Sequence, residues 1–168
     1  MRADYEEIIE GVSVLRRVTA DRHEDVCEAL HAAFAAALVG NTVTRLLEPR
    51  SIVQLSPGTL LRPDLALVTV ATGKLWLVAE VVNSTDHRWD TVTKKELYEV
   101  AAVPRLWMVD PRYDNVEVYH GSPHGLALQH IHAGREVLVE GLLPTLKLGV
   151  AELFAAPPGS GHGEDISE

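Results

Sequence analysis

The segment Leu75-Trp76-Leu77-Val78-Ala79-Glu80-Val81-Val82 carries a glutamate inside an otherwise unbroken apolar run. The run is short, rich in valine, and bounded by Gly73-Lys74 and Asn83-Ser84. Such a run reads as a strand covered on both faces. A carboxylate there is costly: unpaired, it shifts its pKa upward or destabilises the fold. The fold must therefore bring Glu80 a cation or a buried hydrogen-bond network. Which of the two it brings bears on whether the protein is an enzyme.

The 168 residues fit one domain with a real core. We take residues 1–155 as that domain. The stretch Pro157-Pro158-Gly159-Ser160-Gly161-His162-Gly163-Glu164 marks residues 156–168 as a disordered tail by composition. No apolar run approaches the ~18 residues needed to span a membrane, so no membrane partner is expected. The N-terminus, Met1-Arg2-Ala3-Asp4-Tyr5-Glu6-Glu7, is acidic and has no signal-peptide apolar region. A single cysteine, Cys27, excludes an internal disulfide and fits a reducing cytoplasm. The formal net charge of -9 argues against a broad nucleic-acid-coating surface. It leaves room for a local cationic patch, or for a site that offsets phosphate charge with metal ions.

Val12, Val14, Arg16 and Val18 alternate and predict a first strand from Gly11 to Val18. A helix follows: Asp21 and Glu24 have capping-box spacing, Val26, Leu30, Phe34, Ala37 and Leu38 form an apolar stripe, and Gly40-Asn41 is a stop. Strands are predicted over Ser51–Leu55 and Asp64–Val70, the latter turning at Thr72-Gly73 into the Glu80 strand as a hairpin. A loop from Asn83 to Trp89 leads to a second helix, about Asp90 to Ala102, ended by Pro104. Further strands are predicted at Arg105–Val109, Val116–His120, Leu126–His132 and Glu136–Val139, then one helical turn at Val150–Phe154. This is a mixed sheet with two principal helices, hence α/β.

Three charged positions converge in this scheme. Asp64 follows Pro63 and opens the strand next to that of Glu80, so the two carboxylates can reach one point. Paired carboxylates suit a hard divalent ion such as Mg²⁺ or Mn²⁺. On the second helix, Lys94, Leu97, Tyr98 and Ala101 share one stripe, which points Lys94 at the sheet and leaves Lys95 off it. Asp90, one turn earlier, caps the helix or orients the lysine. Such a set could hydrolyse a phosphodiester, with Lys94 stabilising the transition state. The alternative is a buried Asp–Lys–Glu salt-bridge network that fixes the helix on the sheet.

Pro63-Asp64, Glu80, Asp90, Lys94, Tyr98 and Val103-Pro104-Arg105-Leu106-Trp107-Met108-Val109-Asp110-Pro111 together resemble a large bacterial family of restriction-endonuclease-like proteins. That family lies in the PD-(D/E)XK nuclease superfamily. The resemblance runs from Tyr5-Glu6-Glu7-Ile8-Ile9-Glu10-Gly11 to Leu142-Leu143-Pro144 and Glu152-Leu153-Phe154. It implies a restriction-endonuclease-like mixed central sheet. It also implies a Mg²⁺- or Mn²⁺-dependent endonuclease acting on DNA, with Asp64 and Glu80 as metal ligands and Lys94 as the catalytic lysine. The superfamily lysine usually stands two residues after the second acid, where this chain has Val82. The family pattern places it on the following helix, where Lys94 stands. His23 matches a histidine near the start of the first helix, and Glu10 an acidic residue before a glycine. Asn83-Ser84-Thr85 replaces the common Ser-Pro-Ser, and Ala102-Val103 the common Gly-Val. Nucleases of this fold often act as dimers, so a homodimer is a further expectation.

The same residues allow a catalytically silent binding or regulatory module, or a small-nucleotide phosphohydrolase. Glu10, His23, Asn83, Asp90 and Tyr98 are expected to border the site. His130 and His132 read as a surface pair rather than zinc ligands. Cys27 reads as a core residue and Trp107 as core or interface, while Trp76 and Trp89 are ambiguous, Trp89 standing in the loop beside the site where it could cover it.

Overall fold

The computed structural model describes residues 3–18, 21–83 and 86–155. The predicted tail lies outside the described residues, as do Ser84 and Thr85 of the loop after Glu80. Along the chain, β1 (Tyr5–Ile9) and β2 (Val12–Arg16) precede α1 (Asp21–Ala37). Then come β3 (Thr44–Leu46), β4 (Val53–Ser56), β5 (Thr59–Leu61), β6 (Leu65–Thr69) and β7 (Leu75–Val81). A π-helical turn (Trp89–Lys94) runs straight into α2 (Lys95–Val100). The chain continues through β8 (Arg105–Asp110), β9 (Asn115–Ser122), β10 (Gly125–Ala133), β11 (Val137–Glu140), β12 (Leu143–Gly149) and α3 (Val150–Leu153).

The central sheet has six strands in the order β10-β9-β8-β7-β6-β3. Only β7 and β8 run parallel; the other neighbours are antiparallel. The parallel pair needs a crossover, and the π turn and α2 supply it. A second, antiparallel sheet has the order β2-β1-β5-β4, and β11 pairs with β12.

Strand alternation decides what each face of β7 meets. Leu77, Ala79 and Val81 enter one core with Val26, Leu30 and Phe34 of α1 and Leu143, Leu146 and Leu148 of β12. Val78 and Val82 enter another core, with Val53, Leu61 and Tyr98. Both faces of β7 are thus covered, as the apolar run predicted. Glu80 has the parity of Val78 and Val82, so it faces the layer built from the second sheet and α2.

The β6–β7 hairpin is present. Gly73 takes φ 68° at its turn, where glycine carries no Cβ penalty, and its N–H donates to the Thr69 carbonyl at 2.7 Å. The expectation of two principal helices is met only in part. α1 has 17 residues, but the second segment is six π-helical residues followed by six α-helical ones. The mixed sheet is also accompanied by two others, because four strands escaped the pattern. β1 carries two adjacent glutamates, β3 and β5 have three residues each, and β12 contains Pro144 and Lys147. Among the described residues no helix is long and apolar enough to cross a membrane.

Phe34 of α1 stands edge-on to the fully buried Trp107 of β8, with ring centroids 5.3 Å apart and an interplanar angle of 66°. This contact ties the long helix to the middle of the sheet. Phe34→Ala should cost about 3–5 kcal/mol in urea unfolding, and a loss under about 1 kcal/mol would contradict this placement of the core.

Candidate active site

Asp64 stands one residue before β6. Leu65 pairs with Ala79 in the antiparallel register, so Asp64 comes opposite Glu80. Asp64 Oδ2 accepts the Val81 N–H at 2.8 Å, and the Asp64 carbonyl lies 2.6 Å from His31 Nε2. Its other oxygen, Oδ1, is buried and has no hydrogen-bond partner; Arg50 Nε stands 3.5 Å away.

Lys94 closes the π turn and is completely buried. The wider i→i+5 winding there stacks Asp90, Lys94 and Tyr98, all buried, on the sheet side. Lys94 Nζ lies 2.6 Å from Glu80 Oε1 and 3.0 Å from Glu7 Oε2. Both are ion-pair distances, but neither contact has hydrogen-bond alignment. The Tyr98 hydroxyl donates to the same Glu80 oxygen. Glu7 is fixed by the Arg62 N–H at 2.8 Å and by the Arg16 guanidinium at 3.4 Å. Arg16 also donates to Asp90 Oδ1 at 2.7 Å, and Asp90 Oδ2 accepts the Asn83 N–H at 3.0 Å. The chain of contacts therefore runs from Glu80 through Lys94, Glu7 and Arg16 to Asp90.

Burial pushes the Glu80 carboxyl up to about 8; Lys94 opposes this, and Asp64 and Glu7 reinforce it. Burial penalises the Lys94 ammonium too, but Glu80 and then Glu7 outweigh it and hold its pKa above the ordinary lysine value. Burial likewise raises the Asp90 carboxyl, against Lys94 and Arg16. Burial and Glu80 push the Tyr98 hydroxyl well above its usual range, so it stays a proton donor. The carboxylates of Glu7, Glu80 and Asp90 face the cations Arg16 and Lys94, while Asp64 faces Arg50, which it shares with Glu24. The cluster thus holds more buried acid than buried cation. Its spare carboxylate oxygen, Asp64 Oδ1, is the atom a hard cation would satisfy, and carboxylate oxygens are the donors Mg²⁺ and Mn²⁺ take.

Of the residues singled out in the sequence, Asp64, Glu80, Lys94, Tyr98 and Asp90 come together. His23 borders the cluster, with Nε2 2.8 Å from the Val81 carbonyl and 3.9 Å from Asp64 Oδ2. Asn83 touches it through its backbone, while its side-chain amide donates to the Arg17 carbonyl at 3.2 Å. Asp90 lies inside the π turn and orients Arg16 rather than capping the helix start. Glu10 is not brought in: it is exposed at the β1–β2 turn with φ 49°. The glutamate that reaches Lys94 is Glu7, three residues earlier. Lys95, half-buried, rests over the Tyr119 ring at 4.5 Å, and Arg16 lies 5.8 Å from the centroid of Trp89. Glu7, Arg16 and Arg50 were not read as site residues from the sequence. The alternation Tyr5, Glu7, Ile9 was the available signal for Glu7, and Arg16 sits at the core parity of its strand.

The family model Uma2, described as "Putative restriction endonuclease", matches residues 2–151. The chain belongs to the Uma2 family. The matched stretch takes in every residue of the cluster. The fold of this Uma2 chain is similar to the crystal structure of a "putative nuclease belonging to DUF820" from Anabaena variabilis, with a TM-score of 0.72 over 89% of each chain at 12% identity. At that identity the likeness is one of fold. No curated protein matches the chain.

The raised Glu80 pKa links this Uma2 site to stability. The folded state binds a proton that the unfolded chain releases near 4.5, so the stabilisation is complete below 4.5 and is lost as pH rises through about 8. Thermal melts at constant ionic strength should show stability falling across this window. Glu80→Gln should remove most of the fall, and an equally steep decline in that variant would contradict the assignment.

Proposed function

We propose that the protein is a divalent-metal-dependent endonuclease hydrolysing DNA phosphodiester bonds. The observation that supports this best is a buried Asp64 carboxylate oxygen that accepts no hydrogen bond and has only the Arg50 guanidinium 3.5 Å away, together with a buried lysine held against Glu80. Asp64 and Glu80 would hold Mg²⁺ or Mn²⁺. Bound there, the ion would lower the pKa of water and offset phosphate charge.

The chain's own residues do the rest. The Val81 N–H fixes one Asp64 oxygen and leaves the other without a hydrogen bond. The Tyr98 hydroxyl fixes Glu80 Oε1. Lys94 Nζ supplies a permanent positive charge for the phosphoryl oxygens as negative charge builds up. Glu7 positions that ammonium and is itself held by Arg62 and Arg16. In the reaction, water oxygen bonds to phosphorus, a P–O ester bond breaks, and the leaving oxygen ends with a proton.

The complete burial of Lys94 and its two carboxylate contacts favour a second reading. There the cluster is a closed salt-bridge network in a catalytically silent binding module. Plasmid cleavage in Mn²⁺ separates the two. Under the nuclease reading, wild type nicks the plasmid, and Glu80→Gln and Lys94→Met, both still folded by circular dichroism, lose about 10²–10³-fold in rate. No cleavage by wild type, with the variants affected only in stability, would sink the nuclease reading and leave the module.

A further inference from the structure

α1 presents a second set of ligands to Asp64 from the opposite layer of the sheet. His23 and Cys27 are four residues apart, one helical turn, and so share a face. His23 Nδ1 is 3.8 Å from Cys27 Sγ. A ring nitrogen of His23, Cys27 Sγ and an Asp64 carboxylate oxygen all lie within 4.8 Å of one another. A tetrahedral ion with bonds of about 2.0–2.3 Å spaces its ligands about 3.3–3.8 Å apart, so small side-chain shifts would close the set. His23 Nε2 stands 2.8 Å from the Val81 carbonyl, which can only accept, so that nitrogen carries a proton. A backbone carbonyl in this place is a usual outer partner of a metal-ligating histidine, and it would leave Nδ1, the nitrogen beside Cys27 Sγ, as the ligand atom. Glu24 Oε1, 3.1 Å from Nδ1, also accepts from Arg50, and zinc would take its place at Nδ1.

The second observation is Asp64 itself. It is 3% exposed, its Oδ1 has no hydrogen-bond partner, and it lines the same cavity as Cys27. That cavity, about 300 Å³, gives an ion and its water a way in and room for a fourth ligand. Sulfur and imidazole donors select a borderline-soft ion over Mg²⁺. One thiolate and one carboxylate would neutralise a dication.

We propose that His23, Cys27 and Asp64 form a zinc site, and that zinc bound there withdraws Asp64 from Glu80 and inhibits the protein. As the Zn–S bond forms, the Cys27 S–H bond breaks and its proton goes to solvent. The site rests on α1 and Asp64 alone; only the inhibition rests on the nuclease reading.

Cobalt substitution tests it on the full chain. Co²⁺ should bind wild type with a stoichiometry of one and give a thiolate-to-cobalt charge-transfer band in the near ultraviolet, which added Zn²⁺ abolishes. Cys27→Ser and Cys27→Ala should lack the band and bind Zn²⁺ at least about tenfold more weakly, the scale reached even by loss of an outer partner. Both variants should keep the wild-type circular dichroism spectrum and Mn²⁺-supported cleavage, and that cleavage should resist Zn²⁺ levels that stop wild type. No band in wild type, or a band that persists without Cys27, overturns the site. Equal zinc sensitivity of wild type and Cys27→Ser overturns the inhibition. Absence of cleavage in wild type would strike the nuclease reading and leave the band to decide the site.

Discussion

The ammonium of Lys94 is the interaction on which the rest of the site depends. It is completely buried, and it lies between Glu80 of the central sheet and Glu7 of the second sheet. Without it, two carboxylates would face each other in the interior, a state that costs several kcal/mol per ion before any compensation. With it, the central sheet, the second sheet and the crossover helix meet at one charge. The π turn gives the lysine this reach, because its wider winding keeps Asp90, Lys94 and Tyr98 in one buried column.

That arrangement does not neutralise the cluster. Asp64 and Asp90 add two more buried carboxylates, and Arg16 adds one more cation. The excess is felt at Glu80, whose carboxyl is pushed up to about 8 mainly by burial. It is felt again at Asp64 Oδ1, left without a hydrogen bond. A fold optimised only for stability would fill such a place with apolar side chains, which are often neutral or better than a buried ion pair. Retained charge and an unsatisfied oxygen in one place are what a site prepared for a cation looks like, and they are the reason to prefer the nuclease reading.

Much of this was legible in the sequence, for local reasons. Glu80 stands out because its strand is otherwise apolar, and Asp64 because it opens the neighbouring strand of a short hairpin. Lys94 follows from the helical stripe it shares with Tyr98, a stripe that the π turn widens without breaking. What the sequence hid is non-local. Glu7 and Arg16 reach the site only because β1 pairs with β2 on one side and with β5, some fifty residues away, on the other. No periodicity within β1 announces that pairing, and the adjacent glutamates Glu6 and Glu7 disguise the strand. Glu10 precedes Gly11 as the family pattern has it, but that pair is the turn itself and sits in solvent. The second helix is half π turn, which its apolar spacing does not distinguish from α-helix.

A crystal soaked in Mn²⁺ and measured at the manganese edge addresses the central claim directly, since it locates the ion rather than its effects. The account predicts an anomalous peak bonded to Asp64 Oδ1 and the Glu80 carboxylate, with Lys94 still held by Glu7. No peak at saturating Mn²⁺, with Lys94 bridging Glu7 and Glu80 unchanged, would contradict it and identify the cluster as a closed salt-bridge network.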